Sequence, residues 1–312
     1  MMAYHMGWMD ASGQVMESSA TQGKALRPTL CMFACDSLGG DCSRAVPAAS
    51  ALELIHNFSL VHDDIQDGDV ERRHQPTVWY LWGEPMALTV GNALRAAADA
   101  SPLRLTEQGV PTTKALRASQ ILTEGCLSMI QGQCMDLSFE GRLDIGPADY
   151  LDMVSKKTGA LIRCGTEMGA LIGCNDTAST VLYASAGAHL GIAFQVRDDV
   201  LGIWGDSEVT GKASGNDIRR RKKSFPIVYA METASGAARQ RLLEAYGKDT
   251  PEEEDVEDVL TVLDDVGAES YAHQMAVDQG ELASGELRKI PVEPWAQAEF
   301  DDLVQFLTAR QH

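Results

Sequence analysis

Residues 44–66 read RAVPAASALELIHNFSLVHDDIQ. Leu52, Ile55, Ser59 and His62 recur at steps of three and four, the spacing of one helix face. The stretch predicts one long helix with an Asp-rich C-terminal end. The chain continues so that Asp63-Asp64-Ile65-Gln66-Asp67 forms a DDxxD. On a helix, Asp63 and Asp67 lie one turn apart and face the same way. Two like charges stacked in this way are unstable as a dry pair and demand a divalent cation. All-oxygen ligands indicate a hard ion, and Mg²⁺ takes one or two carboxylates together with phosphates and water.

The same period governs most of the chain. Residues 68–80 carry Gly68, Pro76 and a charged cluster, which predicts a loop. Residues 81–100 and 112–136 predict helices, and Tyr150 to Cys174 predicts two helices broken near Lys157-Thr158-Gly159. Residues 178–204 form an Ala-rich helical pattern whose end carries Asp198-Asp199, and 205–224 reads as a loop. From 225 onward four short helices are expected, with breaks near Gly236, Gly247–Pro251, Gly267 and Pro291–Pro294. No strand pattern, repeat or linker emerges. The expected fold is all-α, with residues 1–312 forming a single large helical bundle around a central cavity.

Composition narrows the function. The 312 residues hold 26 Lys+Arg against 45 Asp+Glu, a formal charge of −19. That excess argues against general nucleic-acid binding and against a polybasic membrane surface. The 45% hydrophobic content suits a packed globular protein. Seven cysteines, at 31, 35, 42, 126, 134, 164 and 174, form no CxxC and read as buried reduced thiols. The first residues, MMAYHMGWMD, lack a signal-peptide pattern, and no run of about 18 apolar residues occurs. The expectation is a cytoplasmic protein. Residues 251–270 carry nine acids and no Lys or Arg, which reads as a solvated helix face.

A second acidic pair, Asp198-Asp199, has Gln195 one turn before Asp198. Two acidic helix ends facing an apolar cavity would hold metal ions, and such a cluster suits a diphosphate. Basic residues stand where a diphosphate needs them: Arg72 and Arg73, Lys24 and Arg27 in GKALRP, Lys157 beside Thr158, and Lys212 and Lys222. Arg219 to Lys223 are five consecutive basic residues. They read as a solvated loop or as a lid closing on phosphate, a nucleic-acid patch being isolated in so acidic a chain.

These pieces, in order, are GKALRP, HDDIQD followed by ERRHQPT, GQCMDL, KKTGAL, and FQVRDDVLG followed by GKASGNDIRRRKKS. The sequence thereby resembles the trans-isoprenyl diphosphate synthases, or polyprenyl synthetases, from Gly23 to about Tyr229. The resemblance implies the isoprenoid synthase fold, a homodimer and three Mg²⁺ ions. It implies that Asp63 and Asp67 bind Mg²⁺ with Asp64 in support, and that Asp198 binds another, helped by Asp199 and Asp217. Arg72, Lys157, Thr158, Gln195, Lys212 and Lys222 would hold an allylic diphosphate. Lys24, Arg27, His56 and Arg73 would hold isopentenyl diphosphate. His56 is seven residues before Asp63, on the same helix face.

The implied reaction ionises the allylic diphosphate, adds isopentenyl diphosphate to the cation and loses a proton to the released diphosphate, giving a linear (E)-polyprenyl diphosphate. The growing tail would run beside residues 51–60. Phe58 lies about 7.5 Å below the metal-binding end and would floor that tunnel, whereas Ser59 leaves room. An aromatic at this position without an insertion in the DDxxD resembles geranylgeranyl (C20) synthases, with farnesyl (C15) as the alternative.

Three departures from the family pattern stand out. Gly202 replaces a third Asp in the second motif, Asn92 stands where Asp is frequent, and only 22 residues precede Gly23. The last suggests a shortened N-terminal helix. A class I terpene cyclase is a competing expectation. Asn175-Asp176-Thr177-Ala178-Ser179 begins its NDxxSxxxE, but Tyr183 occupies the glutamate position. A catalytically silent subunit is the third alternative, disfavoured by the intact Asp63, Asp67, Lys157 and Asp198.

Overall fold

The helix quoted first forms over Val46–Gln66 (α3). Pro47 sits in its first turn, where a missing N–H costs nothing. Its buried face includes Ala48, Leu52, Ile55, Phe58 and Val61. Gly68, at φ +67°, ends it: the Asp69 N–H reaches back to the Asp64 carbonyl at 3.0 Å, closing a Schellman turn. The stop is thus written one residue after Asp67.

The computed structural model describes residues 1–16, 23, 25–205, 215–248 and 250–309. Before α3 come α1 (Met2–His5) and α2 (Leu26–Asp36); after it, α4 (Val78–Trp82), α5 (Glu84–Ala100), α6 (Thr112–Phe139), α7 (Pro147–Val154), α8 (Ala160–Gly173) and α9 (Thr177–Trp204). Then follow α10 (Asn216–Arg219), α11 (Phe225–Thr233), α12 (Gly236–Gly247), α13 (Glu253–Asp265), α14 (Ala268–Leu287) and α15 (Ala296–Ala309). The fold is all-α. Among the described residues the sole ladder is an antiparallel ribbon, β1 (Glu71–Arg72) with β2 (Gln75–Pro76).

Several expectations need correction. The loop expected over 68–80 contains that ribbon and the start of α4, because Thr77 and Trp79 donate to the Asp69 carbonyl and stitch the segment down. Among the described residues the segment from 225 onward holds five helices rather than four, broken at the expected places. The fourth, α14, is 20 residues long and not short. The break near Lys157 is a single π-turn, Ser155–Gly159, between α7 and α8.

Contacts divide the chain into two compact units. Unit 1 is Met1–Cys126 with Cys164–Thr180, and unit 2 is Leu127–Arg163 with Val181–His312. In unit 1, α3 packs on α2 and α5. In unit 2, Tyr150, Val196, Val200, Phe225 and Ala276 form one buried cluster, and Ile203, Ile227, Leu242, Val259 and Leu263 belong to another. Each such large side chain, fully buried, contributes about 1.5–3 kcal/mol. All seven cysteines are free; Cys31, Cys35, Cys126 and Cys164 are buried, whereas Cys42 and Cys174 are half-buried and Cys134 is exposed.

Candidate active site

The C-terminal end of a helix carries partial negative charge, the least favourable place for carboxylates. The end of α3 nevertheless carries Asp63, Asp64, Asp67 and Asp69, so cations are needed there. Asp64 is 1% exposed and accepts from Arg72 Nε at 2.6 Å. Burial pushes its carboxyl up to about 6 against the pull of Arg72. Asp63 is half-buried and Asp67 exposed. Asp64 therefore acts as an anchor for Arg72, while its neighbours one residue before and three after reach outward.

Arg73 and His74 form the turn of the ribbon, both at positive φ (+52° and +61°). Asn-Gly meets such a turn without strain, whereas Arg-His holds it at a cost of about 1–3 kcal/mol. Arg73 lies beside other cationic groups. Burial, then the charges on Arg27, Arg73 and Arg72, hold His56 well below its ordinary pKa. Burial, then Arg73 and Arg72, lower His5 to about 4. Burial lowers Arg27 to about 10, with Glu53 pulling the other way. Arg27 Nε and Asp64 Oδ2 are buried without a hydrogen-bond partner, whereas the His5 ring pairs with the Asn57 side chain. A cavity of about 300 Å³, counting the solvent space at its mouth, is lined by Tyr4, His5, Asp64, Arg72, Arg73 and Thr77. Crowded guanidinium groups with unused donors match a multiply charged phosphate.

In unit 2 the π-turn and the end of α9 build a second cluster. A Cβ at Gly132 would meet Lys157 N at 2.2 Å, and one at Gly191 would meet the Gly159 Cα at 2.5 Å. These two glycines let α6 and α9 touch the π-turn backbone. Lys157 Nζ pairs with Asp136, and Thr158 Oγ1 donates to Gln195 Oε1 at 2.8 Å. Gln195 Nε2 donates to Asp199 Oδ1 at 3.1 Å. Asp199 is fully buried and also accepts from the Tyr150 hydroxyl, from Lys222 Nζ at 3.4 Å and from the Phe225 N–H at 3.1 Å. Burial raises its pKa against these donors. Partial desolvation opposes the charge on Lys222, but Asp199, Asp217 and Asp198 outweigh it and raise the ammonium pKa. Asp198, by contrast, is exposed.

Gly202, the departure from the family pattern, has a physical reason here. A Cβ there would meet Asp217 Oδ2 at 2.2 Å, so the Asp217 carboxylate occupies the space above it. Asp217 pairs with Lys222 at 3.5 Å. The basic run is only partly solvated, with Arg220 and Lys222 exposed. Arg219 binds Glu253, Arg221 donates to the Lys248 carbonyl at 2.6 Å, and Lys223 is 5% exposed over the Tyr246 ring at 4.7 Å. The acidic stretch 251–270 is likewise partly paired, Glu253 with Arg219, Asp255 with Lys248 and Asp258 with Arg241.

Lys24 and Lys212 lie outside the described residues. Sequence reasoning missed Tyr150, Asp136, Tyr246 and His5. Tyr246 donates from its hydroxyl to the Lys222 carbonyl at 3.2 Å. Only the GQCMDL motif held a signal, since it contains Asp136. The donor set fits Mg²⁺. Asp63 and Asp67 offer carboxylate oxygens one turn apart at the end of α3. Mg²⁺ uses few protein ligands and fills its shell with phosphate and water.

The family model for polyprenyl synthetase matches residues 10–263, a longer stretch than the one that carries the motifs. The chain belongs to the polyprenyl synthetase family. It is 36% identical over 312 residues to a (2E,6E)-farnesyl diphosphate synthase of Mycobacterium bovis, covering 99% of this chain and 85% of the relative. It is 37% identical over 290 residues to a geranylgeranyl diphosphate synthase of Saccharolobus solfataricus, covering 93% and 87%. The crystal structure of a polyprenyl synthetase from Streptomyces coelicolor A3(2) superposes with a TM-score of 0.90 at 38% identity, covering 98% of this chain and 90% of that one. This polyprenyl synthetase is a prenyltransferase with the all-α isoprenoid synthase fold.

Its geometry also disposes of the cyclase pattern. Asp176 accepts from the Ala178 N–H at 3.2 Å and the Ser179 N–H at 2.9 Å, which makes it the cap of α9. Tyr183 is fully buried. Among the described residues no helix is long and apolar enough to cross a membrane.

Proposed function

We propose that this prenyltransferase condenses isopentenyl diphosphate with an allylic diphosphate to a linear (E)-polyprenyl diphosphate, with geranylgeranyl diphosphate (C20) as the product and farnesyl (C15) as the alternative. The observation that carries the reading is the crowd of Arg27, His56, Arg72 and Arg73 beside the outward carboxylates of α3, with the buried Arg27 Nε still unused. Asp63, Asp67 and Asp198 would hold three Mg²⁺ ions together with the allylic diphosphate. When bound, Mg²⁺ supplies positive charge against which the leaving diphosphate develops its own.

Arg72, Lys157, Thr158, Gln195, Lys212 and Lys222 orient the allylic diphosphate. Lys24, Arg27, His56 and Arg73 hold isopentenyl diphosphate so that its double bond attacks the allylic cation formed when the C–O bond has broken. The proton lost afterwards goes to the departed diphosphate. This division of labour uses alignment and exclusion of water rather than a protein nucleophile.

Phe58 is 9% exposed and packs edge-on against His62, ring centroids 4.9 Å apart. The Ser59 hydroxyl donates to the His56 carbonyl at 2.8 Å. Phe58 is assigned as the floor that sets product length. The match across residues 10–263 includes parts of both units, which supports a single functional domain. Exposed Met86 and Leu88 on α5 and Leu116 on α6 support a homodimer, since a second copy would cover them. The free cysteines support a reducing cytoplasm.

Incubation of the protein with Mg²⁺, isopentenyl diphosphate and geranyl diphosphate tests the reading. A longer linear diphosphate is expected, resolved by chromatography as C20. A cyclic hydrocarbon from geranylgeranyl diphosphate alone, or turnover only after adding a partner protein, would overturn it. Phe58→Ala is expected to lengthen the product by at least one isoprene unit, and an unchanged product would remove Phe58 from the floor.

A further inference from the structure

Two charged stretches of the sequence, the basic run Arg219–Lys223 and the acids of 251–270, meet within unit 2. Along the basic run the partners alternate. Arg219 makes a two-pronged bridge to Glu253, at 2.9 Å from Nε and 2.7 Å from Nη2. Arg221 Nη1 donates to the Lys248 carbonyl at 2.6 Å. Lys223 Nζ lies 4.7 Å from the centre of the Tyr246 ring, over its face. All three thus hold the end of α12 or the start of α13. Lys222, in their midst, reaches instead to Asp199 at 3.4 Å and Asp217 at 3.5 Å. Its side chain is still 44% exposed, which leaves the ammonium open to a ligand.

The backbone accounts for the odd placement of Lys222. Helix α10 ends in a Schellman turn: the Lys222 N–H donates to the Asp217 carbonyl at 2.9 Å and the Arg221 N–H to the Ile218 carbonyl at 2.8 Å. The residue closing such a turn takes a left-handed conformation, which glycine enters without strain. Here that residue is Arg221, at φ +52°. A side chain persists there only where its surroundings over-determine it. Two contacts from the α12–α13 connection do so. The Arg221 guanidinium is anchored on the Lys248 carbonyl, and the buried Tyr246 donates from its hydroxyl to the Lys222 carbonyl at 3.2 Å. The peptide on each side of the Lys222 Cα is thereby fixed.

We propose that Tyr246 and Arg221 are positioning residues for prenyl transfer, holding the turn that aims Lys222 at the allylic diphosphate beside Asp199 and Asp217. This rests on the reading that Lys222 holds that diphosphate. Tyr246 and Arg221 act through the lysine and not on the substrate. The connection between α12 and α13, which lies outside every diphosphate motif, thus takes part in setting allylic affinity, and the two charged stretches acquire a common purpose.

The test compares Tyr246→Phe, Arg221→Gly, Lys222→Ala and the double variant Tyr246→Phe/Lys222→Ala with the parent enzyme. Steady-state kinetics are measured with each substrate varied in turn, and thermal unfolding checks the fold. Tyr246→Phe removes the hydroxyl and keeps the ring beneath Lys223. It should raise the allylic KM about fivefold, as for one lost hydrogen bond, and leave kcat and the KM for isopentenyl diphosphate within about twofold of the parent. Arg221→Gly keeps the left-handed turn and loses the anchor, so it should retain its stability and still raise the allylic KM. Lys222→Ala should raise the allylic KM about tenfold or more, and adding Tyr246→Phe to it should bring no further rise, because the hydroxyl acts through the lysine.

A full additional rise in the double variant would overturn the proposal by showing that Tyr246 acts elsewhere. So would an unchanged allylic KM in both Tyr246→Phe and Arg221→Gly when Lys222→Ala raises it, whatever happens to stability. An unchanged allylic KM in Lys222→Ala would instead overturn the reading that Lys222 holds the diphosphate. Should Tyr246→Phe fail to fold, Arg221→Gly decides by the same criterion.

Discussion

The ends of α3 and α9 carry the same chemical motif, adjacent aspartates at a helix C-terminus, yet their surroundings differ. At the end of α9, Asp199 has an acceptor role on every side: Tyr150, Gln195, Lys222 and the Phe225 N–H all converge on it. Around the end of α3 the balance runs the other way. Asp64 holds Arg72, but Arg27 Nε remains without a partner, and His56 lies among Arg27, Arg73 and Arg72. The Asp199 carboxylate is thus satisfied within the protein and positions Lys222, while Asp198 beside it is exposed. The α3 region carries cationic groups in excess, which an anionic ligand would complete.

The sharpest way to break this contrast is to remove one aspartate from each region. Asp199→Ala leaves Lys222 and the Tyr150 hydroxyl without their buried acceptor and should cost about 3–5 kcal/mol in a denaturant titration. Asp63→Ala should change stability by less than about 0.5 kcal/mol yet lower turnover at least about 100-fold. Equal stability losses would erase the distinction.

Gly202→Ala comes next. Its methyl group collides with the Asp217 carboxylate, so a loss of about 1–3 kcal/mol and a raised KM for the allylic substrate are expected. Arg73→Gly should act oppositely on the two readouts. It relieves a positive-φ arginine, so stability holds or rises by up to about 1 kcal/mol, while the KM for isopentenyl diphosphate rises about tenfold.

The smallest effect concerns acid. His5 has a pKa of about 4 in the fold and about 6.5 in the unfolded chain, so the unfolded state takes up its proton first as pH falls. Its neutral burial is fully tolerated above pH 6.5 and costs stability progressively between pH 6.5 and 4. Asp64, with its raised pKa, works in the opposite direction by favouring the folded state as it protonates between about pH 6 and 4. Comparing thermal unfolding of His5→Phe with the parent isolates the histidine: the variant should lose less stability over that window. A parallel pair of profiles would show that His5 is not held neutral.

Much of this was legible in the chain before any coordinates. The period of residues 44–66 marked α3, Gly68 marked its stop, and the break near Lys157 proved to be a π-turn. Asp63 and Asp67 share a face because 3.6 residues make a turn. Other features were hidden. The ribbon at Glu71–Pro76 is too short to show alternation, with two residues in each strand. Gly202 looked like a defect in a motif, since its partner Asp217 lies 15 positions later. The NDxxS pattern had an ordinary use as a helix cap.

The sequence by itself determined the local elements and the residue types at the helix ends, because helix period, capping and stop signals act over a few positions. It also carried enough ordered motifs to identify the family. Only the tertiary structure decided which aspartate is buried against an arginine and which faces outward. It also decided that Tyr246 braces Lys222 across 24 positions and that Tyr4 pins His5 beside Arg73 through a contact 72 positions away. Those relations depend on burial and charge brought together by packing, and no local rule of spacing records which distant group will arrive.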